Sequence, residues 1–152
     1  MRSHLLFREQ YVAISAPQWR PSVAGSDALS TAQLRSAALA VAVPTATFHD
    51  SVEQMLVRMK LDHRIVLRAR HFGSLPELAL STDLLAVVPE MYARQASARW
   101  GLRTWRLPQA PHYEVRLVWH ASTDADPAHQ WFRAKVQQLF GREGDDASVQ
   151  AA

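Results

Sequence analysis

The segment Arg70, His71, Phe72 has side chains suited to holding a small polar ligand. It follows directly on the apolar segment Ile65–Ala69, which is a predicted strand. In open α/β sheets, ligands bind outside the carboxyl ends of the strands. There the His71 imidazole can donate or accept hydrogen bonds, Phe72 can supply an apolar wall, and Arg70 can attract an anion. The alternative is a loop histidine above a core phenylalanine, with Arg70 on a solvated face.

Threonine hydroxyls adjoin two other predicted strands. Thr45 and Thr47 lie between the apolar segment Leu39–Val43 and a predicted helix, and the amino terminus of a helix favours anions. Thr82 and Asp83 precede a further apolar strand, and Thr82 is a candidate ligand contact. Ordinary capping and turn formation are the structural alternatives for all of these residues. For Thr82 and Asp83 we favour the structural role.

The sequence lacks the residue patterns of the common catalytic and metal sites. It has no cysteine, which excludes disulfides, thiolate metal sites and a cysteine nucleophile. No two of its seven histidines have the i, i+4 spacing of a zincin helix, and no glycine-rich phosphate loop or G-x-S-x-G elbow occurs. We therefore expect no catalytic residue, no metal and no cofactor. A small α/β enzyme using His71 and Asp83 is the disfavoured alternative.

Composition indicates an ordinary globular chain. Its 152 residues are 48% hydrophobic, enough for one domain with a core. The formal net charge is +3, and lysines and arginines are scattered rather than clustered as on a phosphate-binding surface. The apolar segments are too short for a signal peptide or a membrane span. We therefore expect a cytoplasmic protein without membrane contact.

Short apolar segments alternate with helix-like segments along the chain. The predicted strands are Tyr11–Ser15, Leu39–Val43, Ile65–Ala69, Leu84–Val88, Leu102–Leu107 and Tyr113–His120. The predicted helices begin at Asp50 or Ser51, at a capping box of Ser74 with Glu77, at Glu90, and at Pro127 after an Asp126 cap. Apolar strands separated by helices indicate a mostly parallel sheet covered on both faces. The sequence thus predicts an α/β fold.

The last predicted strand and helix have a heavy aromatic load. The aromatic residues are Tyr113, Trp119, Trp131, Phe132 and Phe140. We expect Trp119 and Trp131 to form core between this strand and helix, and His120 to close a hydrogen bond in the loop. The first seventeen residues supply little surface against which these rings could be buried.

Four phrases of the sequence, in order, resemble one family. They are the opening Leu6–Val12, the strand leading to His71 and Phe72, the segment Thr82–Pro89, and the ending with Trp119-His120, Asp126-Pro127 and Trp131-Phe132-Arg133. Together they cover about Leu5 to Gly141 and are similar to the effector-binding domain of LysR-type bacterial transcription regulators.

The resemblance implies a type-2 periplasmic-binding-protein-like α/β fold, with two lobes joined by two crossover strands. Residues 1–16 would be a remnant of the first lobe with the first crossover strand, and residues 17–108 the second, effector-binding lobe. Residues 109–141 would form the second crossover and the return to the first lobe, and residues 142–152 a disordered tail. The second lobe is thus expected to be nearly complete and the first partial. The resemblance also implies truncation at the N-terminus, without the winged helix-turn-helix.

The function implied by the resemblance is that of a ligand-sensing fragment of a LysR-family regulator. The candidate effector-binding residues are His71, Phe72, Thr45, Thr47, Thr82 and Arg70. The expected partners are a small-molecule effector such as an aromatic or organic acid, and a second copy or full-length LysR-type subunits. DNA would be bound only through a domain absent from this chain. The alternative is a stand-alone oligomerisation or interaction module that modulates full-length regulators, with the helix Ser51–Met59 as its contact.

Overall fold

The computed structural model describes residues 1–21, 27–43, 52–110 and 112–141. The strands are β1 (Arg2–Ser15), β2 (Leu39–Ala42), β3 (Ile65–Ala69), β4 (Leu85–Pro89), β5 (Arg103–Arg106) and β6 (His112–Trp119). The helices are α1 (Thr31–Ser36), α2 (Val52–Arg58), α3 (Leu75–Ser81), α4 (Glu90–Trp100) and α5 (Pro127–Phe140), with short 3-10 turns at Asp62–Arg64, Phe72–Ser74 and Ala121–Thr123. The chain divides into a unit of Met1–Glu9 with His112–Ala152, and a central unit of Gln10–Pro111.

The sheet of the central unit has the strand order β3-β2-β4-β1-β5. β2 is parallel to both β3 and β4, as the alternation of strands and helices predicts. β1 is antiparallel to β4 and β5, so the sheet is mixed. The sequence predicted a mostly parallel sheet and did not predict the antiparallel direction of β1. The reason is that apolar composition reports burial and not strand direction. β1 pairs with strands far along the chain, and the sequence pattern does not show the direction in which two such strands run relative to each other.

Side chains from the two faces of this sheet form separate cores. On one face, Val41 and Val87 cluster with Leu34 of α1 and with Leu56 of α2. On the other face, alternate strand residues such as Ile14 cluster with residues of α3 and α4. Each fully buried Leu, Ile or Val stabilises the fold by about 1.5–3 kcal/mol. The prediction of a sheet covered on both faces is therefore confirmed.

Helix α1 begins at a capping box that the sequence analysis did not predict. The Ser30 hydroxyl accepts from the backbone N–H of Gln33 at 3.2 Å, and the Gln33 side chain accepts from the N–H of Ser30 at 2.7 Å. The predicted box at Ser74 was wrong, because Ser74 makes no side-chain capping bond. Its backbone is already helical at the end of a 3-10 turn, and its hydroxyl donates back to the carbonyl of His71 at 3.4 Å.

Other helix ends and loops follow their predictions. α4 spans the predicted Glu90–Trp100 and ends at Gly101, whose φ of 67° lies in the left-handed region that glycine tolerates. The Asp126 carboxylate accepts from the N–H groups of Ala128 and His129 and caps α5. The His120 ring accepts from the N–H of Ser122 at 3.2 Å, which confirms its expected role in the loop.

In the unit of Met1–Glu9 with His112–Ala152, β6 pairs with β1, and α5 follows the loop after β6. Arg133 is the buried residue of α5, and its guanidinium donates to the carbonyl of Asp124 at 2.9 Å and lies 4.8 Å from the Trp119 ring. Trp119 donates to the carboxylate of Asp124 at 2.9 Å. Trp131 is 64% exposed, so the expectation that it forms core was wrong. The contact between β6 and α5 is formed by the Arg133 guanidinium on the Trp119 ring, and not by Trp131.

Several large apolar side chains of α5 stay exposed. Phe132 is 56% and Leu139 is 73% exposed, while Phe140 lies with its ring centroid 6.4 Å from that of Phe7. These exposures agree with the expectation that the aromatic ending lacks a surface to bury it. The predicted tail, residues 142–152, lies outside the described residues.

Candidate functional site

The carboxyl ends of three strands meet at one edge of the central sheet. Ala42, which ends β2, is level with Ala69, which ends β3, and the parallel pairing of β2 with β4 brings Pro89 to the same edge. The N–H of Val43 donates to the carbonyl of Ala69 at 2.8 Å, so β2 and β3 stay joined up to this edge. Residues that follow these strands, including Arg70 and Glu90, therefore lie at a common edge, which we call the carboxyl edge.

Arg70 and His71 leave β3 at the carboxyl edge with exposed side chains. His71 is extended, with φ −136° and ψ 149°, and precedes the 3-10 turn Phe72–Ser74. A guanidinium and an imidazole in water-accessible positions can bind a carboxylate or another small anion.

Phe72 is half-buried and packs on the core beneath α3 and α4. Its ring centroid lies 6.1 Å from that of Tyr92 on α4, at an interplanar angle of 42°. The Tyr92 hydroxyl donates to the carbonyl oxygen of Phe72 at 3.1 Å, and burial raises the pKa of this phenol. Phe72 thus ties the turn after His71 to helix α4.

Glu90 begins α4 beside the end of β4. Its carboxylate accepts from the Gln10 side-chain amide at 3.1 Å, and its other oxygen lies 3.5 Å from the Arg94 guanidinium. Sequence reasoning missed Gln10 and Glu90 as site residues. A carboxylate directly after a strand-ending proline was a usable signal for Glu90, whereas the position of Gln10 depends on the pairing of β1 with β4.

Thr82 lies at the opposite edge of the sheet from Arg70 and His71, because it precedes β4 while they follow β3. Its hydroxyl donates to the carbonyl of Leu78 at 2.5 Å and accepts from the N–H of Leu84 at 3.2 Å. The structure therefore brings Arg70, His71 and Phe72 together and leaves Thr82 apart from them. Thr45 and Thr47 lie outside the described residues.

Across the described ranges, no group of three or more His, Asp or Glu side chains is arranged to hold a metal ion. No described helix has both the length and the apolar character required to cross a membrane. What the carboxyl edge offers is a set of hydrogen-bonding groups and charges suited to binding a small polar molecule.

Solved structures share this fold. A transcriptional regulator from Vibrio parahaemolyticus superposes with a TM-score of 0.72 at 23% identity, over 93% of this chain and 66% of that one. The regulatory domain of MexT, a transcriptional activator in Pseudomonas aeruginosa, superposes with a TM-score of 0.68 at 23% identity, over 91% of this chain and 65% of that one. The predicted α/β fold of the type-2 periplasmic-binding-protein kind is confirmed by these neighbours.

Sequence relatives point to the same group of proteins. The HTH-type transcriptional activator NagR of a Ralstonia species is 31% identical over 136 residues, which are 89% of this chain and 44% of NagR. The HTH-type transcriptional activator NahR of Pseudomonas putida is 29% identical over 99 residues, which are 64% of this chain and 33% of NahR. This chain thus spans less than half the length of these relatives.

A family model settles the assignment. The model described as the LysR substrate binding domain matches residues 1–141, nearly the whole of the chain. The resemblance seen in the sequence phrases is therefore confirmed, and the chain belongs to the LysR substrate-binding domain family.

Proposed function

We propose that this chain is the ligand-sensing part of a LysR-type transcription regulator and binds a small organic anion at the carboxyl edge. The observation that supports this most is the position of Arg70 and His71, which are exposed directly beyond the carboxyl end of β3. Ligands of open α/β sheets bind outside these strand ends. Family membership supports the role, because the relatives NagR and NahR are transcriptional activators.

The proposal assigns sensing, and not catalysis, to a chain that acts in the cytoplasm, where transcription regulators meet DNA. We infer that residues 17–108 form the effector-binding lobe and that residues 1–16 and 109–141 belong to the crossovers and the other lobe. A bound effector alters regulation only if it binds two states of the regulator with different affinity.

Charge at the carboxyl edge favours an anionic ligand. Arg70 contributes an exposed cation, and the carboxylate of Glu90 is already engaged by Gln10 and Arg94. An aromatic carboxylate such as benzoate matches a guanidinium with its oxygens and an apolar surface with its ring. We therefore use benzoate as the test ligand and benzamide as its neutral analogue.

The test is an NMR titration of the 15N-labelled chain with benzoate. We expect saturable shifts at the backbone amides of residues 70–74, and weaker shifts with benzamide. Arg70→Gln removes the charge-assisted bonds and should weaken benzoate binding by about tenfold or more. His71→Ala should weaken it by a smaller factor.

Arg35→Gln is the matched control, because Arg35 is an exposed cation at the end of α1, which precedes β2 and lies toward the other edge of the sheet. This variant should bind benzoate as the unaltered chain does. Equal losses in the Arg70 and Arg35 variants would show only a general charge effect. Saturable shifts confined to other parts of the chain would refute the proposed site.

A second candidate function is an interaction module that pairs with full-length regulators through α2. The outward face of this helix, with Glu53, Gln54, Val57 and Arg58, lines an open depression of about 450 Å³. Val57 is 53% exposed there although it is apolar. Apolar side chains surrounded by a polar rim also occur in protein contacts.

Light scattering tests the second candidate, with the chain alone and mixed with an intact relative such as NagR. We expect a complex that Val57→Glu abolishes and that Arg35→Gln leaves intact. A chain that stays monomeric in every mixture would exclude this role without affecting the ligand titration.

A further inference from the structure

Two side-chain hydrogen bonds join the first turn of α4 to different parts of the central unit. The Tyr92 hydroxyl donates to the Phe72 carbonyl at 3.1 Å, which ties α4 to the turn after His71. The Glu90 carboxylate accepts from the Gln10 side chain at 3.1 Å, which ties α4 to β1. Glu90 and Tyr92 are two residues apart in the first turn of this helix.

We propose that this turn of α4 links the candidate ligand site to strand β1, with Tyr92 as the positioning residue on the ligand side and Glu90 on the strand side. The proposal rests on the proposed function in taking the His71 turn as part of the ligand site. It adds a defined route by which a ligand bound at this site changes strand β1.

The contacts of Tyr92 show why it positions the turn rather than only filling space. Its ring packs on the Phe72 ring with centroids 6.1 Å apart, and its hydroxyl holds the backbone of the same residue. A ligand that moves the backbone after His71 therefore acts directly on this bond and on the Tyr92 side chain of α4. Helix α4 packs closely on the sheet, because Ala93, the residue after Tyr92, is fully buried in the core between them.

The strand side of the link lies where β1 pairs with β4. Tyr11 is the Cα partner of Pro89, the last residue of β4. Gln10 of β1 and Glu90, which begins α4, are the next residues beyond this last registered pair. Their hydrogen bond extends the contact of β1 with β4 by one side-chain step. β1 continues from Gln10 back to Arg2, so a change at Gln10 occurs within a strand that extends beyond the central unit.

The link is a property of the protein without ligand, and NMR of the 15N-labelled chain of 152 residues tests it first in that state. Tyr92→Phe keeps the ring and removes the hydroxyl. We expect it to shift the Gln10 side-chain amide resonances and to speed their hydrogen exchange by about two- to tenfold. Gln10→Ala should in turn shift the backbone amide of Phe72, because coupling between two sites is reciprocal.

Three further variants separate the link from general destabilisation. Glu90→Gln keeps an oxygen that can accept from Gln10. In this background the Gln10 side-chain amide should still respond to Tyr92→Phe, and the Phe72 amide to Gln10→Ala. In the Glu90→Ala background both responses should be lost. Gln95→Ala changes an exposed side chain on the same helix and should leave both reporters in place. A Tyr92→Phe spectrum in which Phe72 shifts and Gln10 does not would overturn the proposal.

Benzoate provides the second arm. In the unaltered chain the Gln10 side-chain amide should shift with the same saturation as the His71 backbone amide, and in Tyr92→Phe only His71 should respond. If benzoate shifts His71 but never Gln10, the link fails while the ligand site stands. If benzoate shifts neither, the ligand site fails for this anion, and the unliganded variants still decide the link.

Discussion

Ser15 and Trp105 illustrate how single residues fix neighbouring strands. Both side chains are buried, and the Trp105 indole N–H donates to the Ser15 hydroxyl at 2.8 Å across the β1–β5 pair. The hydroxyl in turn donates to the carbonyl of Ala16 at 3.1 Å, so the polar side-chain atoms of both residues have partners. Such satisfied polar pairs select one strand register, because a slip would leave a buried donor without an acceptor.

Ser15→Ala should therefore lower the free energy of unfolding by about 1–3 kcal/mol, because it leaves the buried indole N–H of Trp105 without an acceptor. Urea denaturation measures the change. Ser81→Ala removes an exposed hydroxyl at the end of α3 and should change stability by no more than about 0.5 kcal/mol. Equal stability of the Ser15 variant and the unaltered chain would contradict the structural role of this bond.

Asp126 makes the stability of α5 depend on pH. The backbone N–H groups of His129 and Ala128 hold the pKa of its carboxyl below the ordinary value, the bond to His129 being the larger cause. Because the pKa is depressed in the folded state, the stabilisation is fully present above the unfolded pKa and is lost as the pH falls through the folded one. Asp126→Ala should lower the melting temperature at pH 7 and lessen its fall between pH 5 and pH 2.

Asp126→Asn provides the control, because asparagine caps helices about as well as aspartate and cannot titrate. It should keep most of the melting temperature at pH 7 while showing the weaker acid dependence of the alanine variant. Circular dichroism at 222 nm follows both. An acid profile that is the same in all three proteins would show that Asp126 does not contribute to it.

At the scale of elements, the local sequence pattern predicted helices and strands but not how the strands pair. β3 and α4 have the predicted bounds, because a proline, a glycine or a charged residue marks each end. β1 is much longer than the predicted Tyr11–Ser15. It also pairs with β6, and the local sequence pattern does not report a pairing between strands so far apart in the chain. α1 was missed because six residues are too few to show a helical period.

Arg133 has the role of a core residue, because its side chain joins β6, the following loop and α5. Its guanidinium donates to the carbonyls of Thr123 at 3.2 Å and Asp124 at 2.9 Å and stacks on Trp119. Arg133→Lys keeps the charge but not the planar fork, so it should lower the free energy of unfolding by about 1–3 kcal/mol. The Trp119 indole resonance should shift in the same variant.

Lys135 offers the comparison on the same helix, because it is exposed. Lys135→Ala should leave the Trp119 indole resonance in place and change the unfolding midpoint in urea only slightly. If the Arg133→Lys variant unfolds at the same urea concentration as the unaltered chain, the planar guanidinium is not required for stability.

At the scale of the whole molecule, the candidate site was predictable only where it follows from strand direction. Arg70 and His71 could be placed at a ligand-binding edge because they follow a recognisable strand. The same reasoning puts Thr82 at the other edge, since it precedes its strand, so the sequence already contained the reason to separate it. Gln10 could not be found, because its neighbour Glu90 is distant in the sequence and only the fold brings them together.

The chain as a whole should not recognise promoter DNA by itself. The substrate-binding family model accounts for residues 1–141, and the formal net charge of +3 is spread over 17 basic and 14 acidic side chains. Specific readout requires an element that fits the major groove and a concentrated basic surface to position it. Any binding should therefore be weak, insensitive to sequence, and lost as salt is raised.

A mobility-shift assay decides this with a promoter fragment that full-length NagR retards, with NagR itself as the positive control. This chain should retard that fragment no more than DNA of scrambled sequence, and unlabelled scrambled DNA should compete equally for both. Retention of the promoter fragment in the presence of scrambled competitor would mean that the chain reads sequence. Its role would then have to extend beyond the proposed ligand sensing, because specific readout requires hydrogen bonds and apolar contacts to base edges in a groove of the DNA.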